Sequence, residues 1–190
     1  MKLCSLLELK EYLEIDASVT DYDSALIDVI EKVSKEVETT LNRKLKKQQR
    51  VEYFPTGKKI YSLSAYPVDE DSITVEVWGS QKTKDSDYFV WADSGIVEFV
   101  ESTGTPWPKK VKITYTGGYE EVNGIVQVPD DLKRAVILIC AFDFKKKRKS
   151  ELGIDPATSL YPSSETRLPD SLEMREARRI LARYRRIPYG

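Results

Sequence analysis

Three kinds of side chain in this sequence have types and spacings that could do chemistry. The acidic pairs Glu120-Glu121 and Asp130-Asp131, with Asp69-Glu70-Asp71, supply paired carboxylates of the kind used in acid–base catalysis. Gly117-Gly118 invites a phosphate-loop reading. Basic clusters at 43–50, 145–149 and 175–186 offer cations to phosphate or to an acidic protein. Each has a plainer reading beside it. The acids fall in turns and helix starts, where carboxylates are expected anyway. The glycine pair lacks the Gly-x-x-x-x-Gly-Lys-Ser/Thr spacing and no helix begins directly after it, so it reads as a structural turn needing positive φ. Pro129 and Asp130 read as a strand stop and a helix cap.

The chain contains no histidine. That excludes Ser-His-Asp and Cys-His catalysis and any histidine-containing metal site. A base near neutral pH would have to be a carboxylate or lysine with a strongly shifted pKa. The residues therefore point away from an enzyme, and imply no cofactor and no metal. Cys4 and Cys140 lie in apolar contexts and read as buried free thiols of a reducing compartment rather than a disulfide. Met1-Lys2-Leu3-Cys4 runs quickly into charge, which gives no signal peptide, and the apolar run Ala135 to Phe142 is too short to span a bilayer. Synthesis and folding in the cytoplasm are the expectation, with no membrane partner.

The elements that must position these groups follow from periodicity. Ser5-Leu6-Leu7-Glu8 fits a capping box that opens a short helix ending near Ile15-Asp16. A second helix starts around Asp21 to Ser24, with Leu26, Val29, Ile30, Val33, Val37 and Leu41 as its apolar stripe. It is expected to end in the basic segment Arg43 to Lys47, where cations suit a helix C-terminus. The period then changes. Strands are read at 51–54, 60–63, 73–78, 88–91, 96–99 and 111–115, separated by turns at 55–57, 79–80, 93–95 and 105–108. Asp130 or Asp131 caps a third helix that is apolar nearly all round, hence buried on more than one side. Residues 150–170 read as an extended connector, and a short helix follows from Ser171 to about Tyr184.

The expected fold is therefore α+β. Two N-terminal helices, one long buried helix and a short C-terminal helix form a bundle, with an antiparallel β-rich insertion between the second and third helices. In domain terms, 1–48 and 129–149 form the helical core, 49–128 the insertion, 150–170 the connector and 171–190 a basic arm.

Charge is polarised along the chain although the net is -1. Residues 43–50 hold five cations and no acid, and 132–190 hold 14 cations against seven acids. Such a pattern suits self-complementary assembly, an acidic partner, or simply solvated helix faces. On the last helix, Arg175, Arg178 or Arg179, Arg183 and Arg186 fall near one face. Leu172, Ala177, Ile180, Leu181 and Tyr184 give the apolar side. That helix either docks back on its own domain or docks on a partner protein. Lys145, Lys146, Lys147, Arg148 and Lys149 are either a solvated helix end or a contact to DNA or a neighbouring subunit. The aromatics Tyr53, Tyr61, Trp78, Tyr88 and Trp91 read as cross-strand packing, since the β region is acidic and would repel phosphate.

Taken in order, several short motifs resemble the head-tail connector (adaptor) proteins of long-tailed double-stranded DNA phages and prophages. They are Leu6 to Asp16, Asp21-Tyr22-Asp23 opening a helix that ends at Asn42-Arg43-Lys44-Leu45, and Tyr66-Pro67-Val68. Tyr115-Thr116-Gly117-Gly118-Tyr119 and Val128 to Ala135 complete the series. The resemblance spans roughly residues 3–149, and departs in a longer β-rich middle and a C-terminal extension. It implies a structural virion protein that forms a ring, usually twelvefold, beneath the portal at the head-tail interface. The ring would extend the DNA channel without sequence readout and receive a stopper or tail-completion protein, after assembly in the host cytoplasm. A free subunit that is a monomer is compatible with it. The motifs mark fold rather than catalysis, so no active site transfers. Portal docking falls to the C-terminal segment, with Arg175, Arg178, Arg179, Arg183, Tyr184 and Arg186 as its candidates. The competing reading is a small nucleic-acid-binding protein using the three basic clusters, whose affinity would fall steeply with salt.

Overall fold

Ser5 starts the first helix as its sequence requires. In the computed structural model, which describes residues 1–104, 106, 110–151 and 172–186, its hydroxyl accepts from Glu8 N–H and the Glu8 carboxylate accepts from Ser5 N–H at 2.7 Å. Helix α1 (Leu6–Tyr12) is thus closed by a complete capping box. Contacts divide the chain into two compact units. One comprises Met1–Leu41 and Asn123–Tyr184; the other comprises Asn42–Val122 and the chain end from Arg185.

The first unit is helical. Helix α2 (Asp23–Leu41) buries all six residues of its apolar stripe, and Ser34 besides. Helix α3 (Asp130–Glu151) packs against α1, α2 and α4 (Leu172–Tyr184), so it occupies the centre of the bundle. Leu132, Ala135, Val136, Leu138, Cys140, Ala141 and Phe144 are its buried residues. Cys4 and Cys140 are both free and buried. A hydrogen bond from the Cys140 thiol to Cys4, together with burial, pushes that thiol well above its ordinary range.

The second unit holds two antiparallel sheets. Strands β1 (Gln48–Phe54), β2 (Ile60–Ser62), β3 (Val68–Val77), β4 (Ser80–Lys82), β5 (Tyr88–Trp91), β6 (Ile96–Phe99) and β7 (Val111–Gly117) build them, and β8 (Glu121–Val122) and β9 (Ile125–Val126) follow in sequence. The four-stranded sheet has the order β1-β7-β3-β4 and the three-stranded sheet β2-β6-β5. Alternation does the sorting. Val75, Val77, Val111, Ile113 and Tyr115 face inward from one sheet, and Tyr61, Tyr88, Val97 and Phe99 from the other, into one shared core. Tyr61 stacks against Phe54 and Phe99 at ring distances of 5.4 and 5.6 Å.

Several expectations need correction. Helix α1 stops at Tyr12, short of Ile15. Helix α2 stops at Leu41 because Asn42 takes φ +51°, so the cations at 43–47 do not cap it. Of Gly117-Gly118, Gly118 alone takes positive φ, at +108°. Gly117 ends β7 and is small for a different reason: a Cβ there would sit 2.6 Å from the Ala65 carbonyl oxygen. Asp130 is already helical. Pro129 holds the capping position, and its carbonyl accepts from Lys133 N–H at 2.9 Å. The turn expected at Gly79-Ser80 is Trp78-Gly79, and Ser80 begins β4. Leu172, placed on the apolar side of the last helix, is 81% exposed. Helix α3 continues through residues 150 and 151; the rest of the connector from 152, Ser171, the side chains of Arg148 and Lys149, and the turn at 105 and 107–108 lie outside the described residues.

Burial works to raise the Glu8 carboxyl, but its bonds from Ser5 and from Lys133 hold it below the ordinary value. The box is therefore at full strength near neutral pH, and is lost as the pH falls through the depressed pKa. Ser5→Ala is expected to lower stability at pH 7 by about 1 kcal/mol, read as a shift in the urea midpoint with unchanged slope.

Candidate functional site

Three of the motif segments, at 42–45, 66–68 and 115–119, come together in the β unit. Arg43 is buried, and its guanidinium lies 3.4 Å from the centre of the Tyr66 ring and 5.4 Å from that of Tyr119. It also donates to the Tyr66 carbonyl. Around it the backbones interlock: Gly118 N–H donates to Pro67 O at 2.9 Å, Tyr119 N–H to Leu45 O at 2.7 Å, and Lys47 N–H to Tyr119 O at 2.8 Å. A Cβ on Gly118 would meet Leu45 O and the Lys46 carbonyl carbon at 2.7 Å. The double glycine is thus a place of close backbone approach, not a phosphate cradle.

A polar node lies next to it. Glu52 Oε1 accepts from the Tyr115 hydroxyl, from Ser64 Oγ at 2.5 Å and from Ser64 N–H at 3.1 Å. The Tyr115 hydroxyl accepts in turn from Ala65 N–H at 3.1 Å. Burial, then the bond to the Glu52 carboxylate, pushes Tyr115 up to about 12.

Glu120, Glu121, Glu70 and Asp131 are occupied. Glu120 pairs with Lys47 at 2.7 Å and Glu121 with Lys46 at 2.5 Å, so the basic segment at 43–47 is answered within its own unit. Glu70 pairs with Lys84 at 2.8 Å. Asp131 accepts from Leu132 N–H and from the Tyr184 hydroxyl, and lies 3.7 Å from Arg183. These carboxylates are thus spent on charge pairing and chain geometry. Among the described residues, no three metal-ligating side chains stand close enough to share an ion. No described helix is long and apolar enough to cross a membrane.

Helix α4 runs antiparallel along α3. Its C-terminal end meets the start of α3 through Tyr184, Arg183 and Asp131, and Arg134 pairs with Glu176 at 3.0 Å. At the other end Lys145 lies 3.9 Å from Glu173, and Tyr12 donates to Glu173 at 3.1 Å. Ala177, Ile180 and Leu181 are buried by this packing, so α4 docks on its own helical unit. Arg175, Arg178, Arg179 and Arg183 stay exposed. At 3.6 residues per turn they fall within a sector of roughly 140°. Guanidinium groups so arranged suit carboxylates or phosphates. Tyr184 and Arg186 do not join them. Tyr184 is tied to Asp131, and Arg186 lies past the helix end, donating from Nε to Ser62 Oγ at 3.1 Å and from Nη2 to the Ser62 carbonyl. Lys146 and Lys147 are exposed near the end of α3.

Sequence reasoning missed Lys10, Arg43 and the Glu52–Tyr115 node. Lys10 is buried; its ammonium donates to Val19 O at 2.7 Å and Ala17 O at 3.3 Å and pairs with Asp23 at 2.5 Å, pinning the α1–α2 loop. Backbone carbonyls leave no mark in a sequence, so a buried lysine served by them looks like a surface one.

Residues 2–187 match the model of a family described as head completion protein. No curated protein matches the chain. Among solved structures, the chain is similar to one from the virion of a native gene transfer agent (GTA) particle. The TM-score is 0.57 at 14% identity, covering 98% of this chain and 91% of that one. It is also similar to chains from the neck of an empty GTA particle computed with C6 symmetry and the neck of a native particle computed with C12 symmetry. Their TM-scores are 0.55 and 0.52, each at 14% identity, with 100% of this chain and 96% of the other covered. These likenesses establish a shared fold.

The polar node gives a pH dependence with a definite sign. A tyrosine whose folded pKa is raised contributes its full stability below the ordinary value of 10 and loses it as the pH climbs toward about 12. Subtracting the stability-versus-pH curve of Tyr115→Phe from that of the parent protein should therefore give a difference that is flat below pH 10 and falls above it. A difference that stays flat through pH 12 would contradict the burial of this hydroxyl.

Proposed function

The chain belongs to the head completion protein family, and from that premise we propose that it is a head–tail connector forming a ring beneath the portal. The match over residues 2–187 is the observation that carries this reading, and the fold shared with chains of GTA necks supports it. The ring extends the DNA channel, offers a surface to a stopper or tail-completion protein, and lets packaged DNA pass without sequence readout. Its place is the head-tail interface of the virion, reached by assembly in the host cytoplasm.

Docking to the portal falls to the outward face of α4. Arg175, Arg178, Arg179 and Arg183 are held there by a helix whose other side is buried on α3, so the backbone that presents the row is already ordered before binding. Arg183 also faces Asp131 at 3.7 Å, which takes up part of its charge. Lys145, Lys146 and Lys147 serve as secondary contacts to DNA or to a neighbouring subunit. Removing α4 outright would be a poor test, because it would uncover apolar α3.

Reversing three exposed charges in the triple variant Arg175→Glu, Arg178→Glu, Arg179→Glu tests this docking. The fold should persist, with an unchanged melting temperature, while affinity for purified portal should fall at least about tenfold, roughly 1.4 kcal/mol. Undiminished binding by a folded variant would sink the assignment. An equally steep loss of binding to unrelated duplex DNA, with a strong salt dependence, would favour the nucleic-acid reading instead.

A further inference from the structure

The two outward faces of the β unit carry features that the connector role leaves unused. The inner faces of the two sheets share one core, so their outer faces look in opposite directions. Cross-strand register places Tyr53 beside Lys112 and Glu76, and Val51 beside Thr114 and Thr74, on the outer face of the four-stranded sheet. Val51 and Tyr53 are 48% and 57% exposed. On the outer face of the three-stranded sheet, Phe89 sits beside Glu98 and Trp91 beside Ile96. Phe89 and Trp91 are 45% and 59% exposed. Both pairs stand on edge strands, β1 and β5, two residues apart, so each forms a small patch aimed at solvent.

Large apolar side chains shown to water in adjacent pairs mark contact surfaces more often than solitary exposed residues do. What sets these two apart is that they are unlike and back to back. A twofold dimer uses the same patch on both copies. Two different patches facing opposite ways instead give a head-to-tail contact, which repeats from copy to copy and closes when the rotation divides the circle. Their charges agree with this. Lys112 lies on the first face, paired with Glu76 at 2.8 Å, and Glu98 lies on the second, accepting from Trp91 Nε1 at 3.4 Å. Bringing the faces together sets the Lys112 ammonium between two carboxylates.

We propose that the occupant of each patch is a second copy of this chain: the Val51–Tyr53 face of one subunit seats on the Phe89–Trp91 face of the next. This rests on the ring reading above and assigns the β unit as its subunit contact.

The test is disulfide cross-linking of the full chain carrying Tyr53→Cys and Trp91→Cys together. Both substitutions are at exposed sites, and the native thiols Cys4 and Cys140 are buried and do not compete. Under oxidation with copper phenanthroline, the double variant should give a ladder of covalent multimers, while an equal mixture of the two single variants should stop at dimers. Mass photometry of the unmodified protein and of isolated necks runs alongside. Covalent dimers from Trp91→Cys alone, or a double variant that stops at dimers, would mean a twofold contact and overturn the proposal. No cross-links in a protein whose mass shows a ring would overturn it while leaving the ring standing. A protein that is monomeric at every concentration and forms no ring in necks would remove the ring reading and this inference with it. A second pair, Tyr53→Asp and Trp91→Asp, provides a check independent of sulfur chemistry. Each alone should leave monomers, because every contact then has one broken face, and a mixture of the two should give dimers of one copy of each.

Discussion

Placing the Arg43 guanidinium out of water is the constraint on which the β unit turns. A buried cation costs several kcal/mol unless other groups take the place of its hydration. Here Tyr66 and Tyr119 provide ring faces, and the Tyr66 carbonyl provides an acceptor. Those partners come from two stretches remote from Arg43's own, so placing one charge ties three backbones together. The glycines follow from the same demand. Gly117 and Gly118 bring the end of β7 within contact of Ala65, Leu45 and Lys46, closer than any side chain would permit. The segments 42–47, 65–67 and 117–119, which look unrelated along the sequence, are the pieces of one knot.

Charge polarisation has a matching internal account. The excess cations at 43–47 meet Glu120 and Glu121 in their own unit. In the helical unit, Lys133 pairs with Glu8 at 3.1 Å and Arg134 with Glu176. The antiparallel run of α4 sets its C-terminal Arg183 and Tyr184 against the acidic start of α3. Exposed pairs of this kind add little stability each. Their effect is on register: they decide which way α4 lies, and therefore which arginines are left facing out.

Much of this was readable from residue order and some was not. The α2 stripe announces itself because burial of one helix face imposes spacings of three and four, and each of its six apolar residues is buried. Likewise Ser5 and Glu8 form a cap whose partners are three residues apart. The strands of both sheets show in their β-branched and aromatic runs, except short β4, whose Ser80-Gln81-Lys82 carries no such signal. Arg43 was misread because its local setting, a basic run after a helix, fits a common cause. Its true partner lies 23 residues on. Arg186 was grouped with the helix face although the helix was expected to end near Tyr184, as it does, and nothing local shows that the chain beyond it reaches Ser62. Long-range partners of a single charge have no periodic signature.

Glu120, Glu121 and Glu70 are engaged in ion pairs, and the segments around Arg43 are engaged in one structural knot. The family match gives this fold a setting, and the exposed arginines of α4 and the two aromatic faces of the β unit give it surfaces. The most direct measurement is a cryo-EM reconstruction of the neck of particles that encode this chain. The account predicts a closed ring of its copies between portal and tail, with α4 turned toward the portal. Density that places the chain elsewhere, or particles with a complete neck that lack it, would contradict the account.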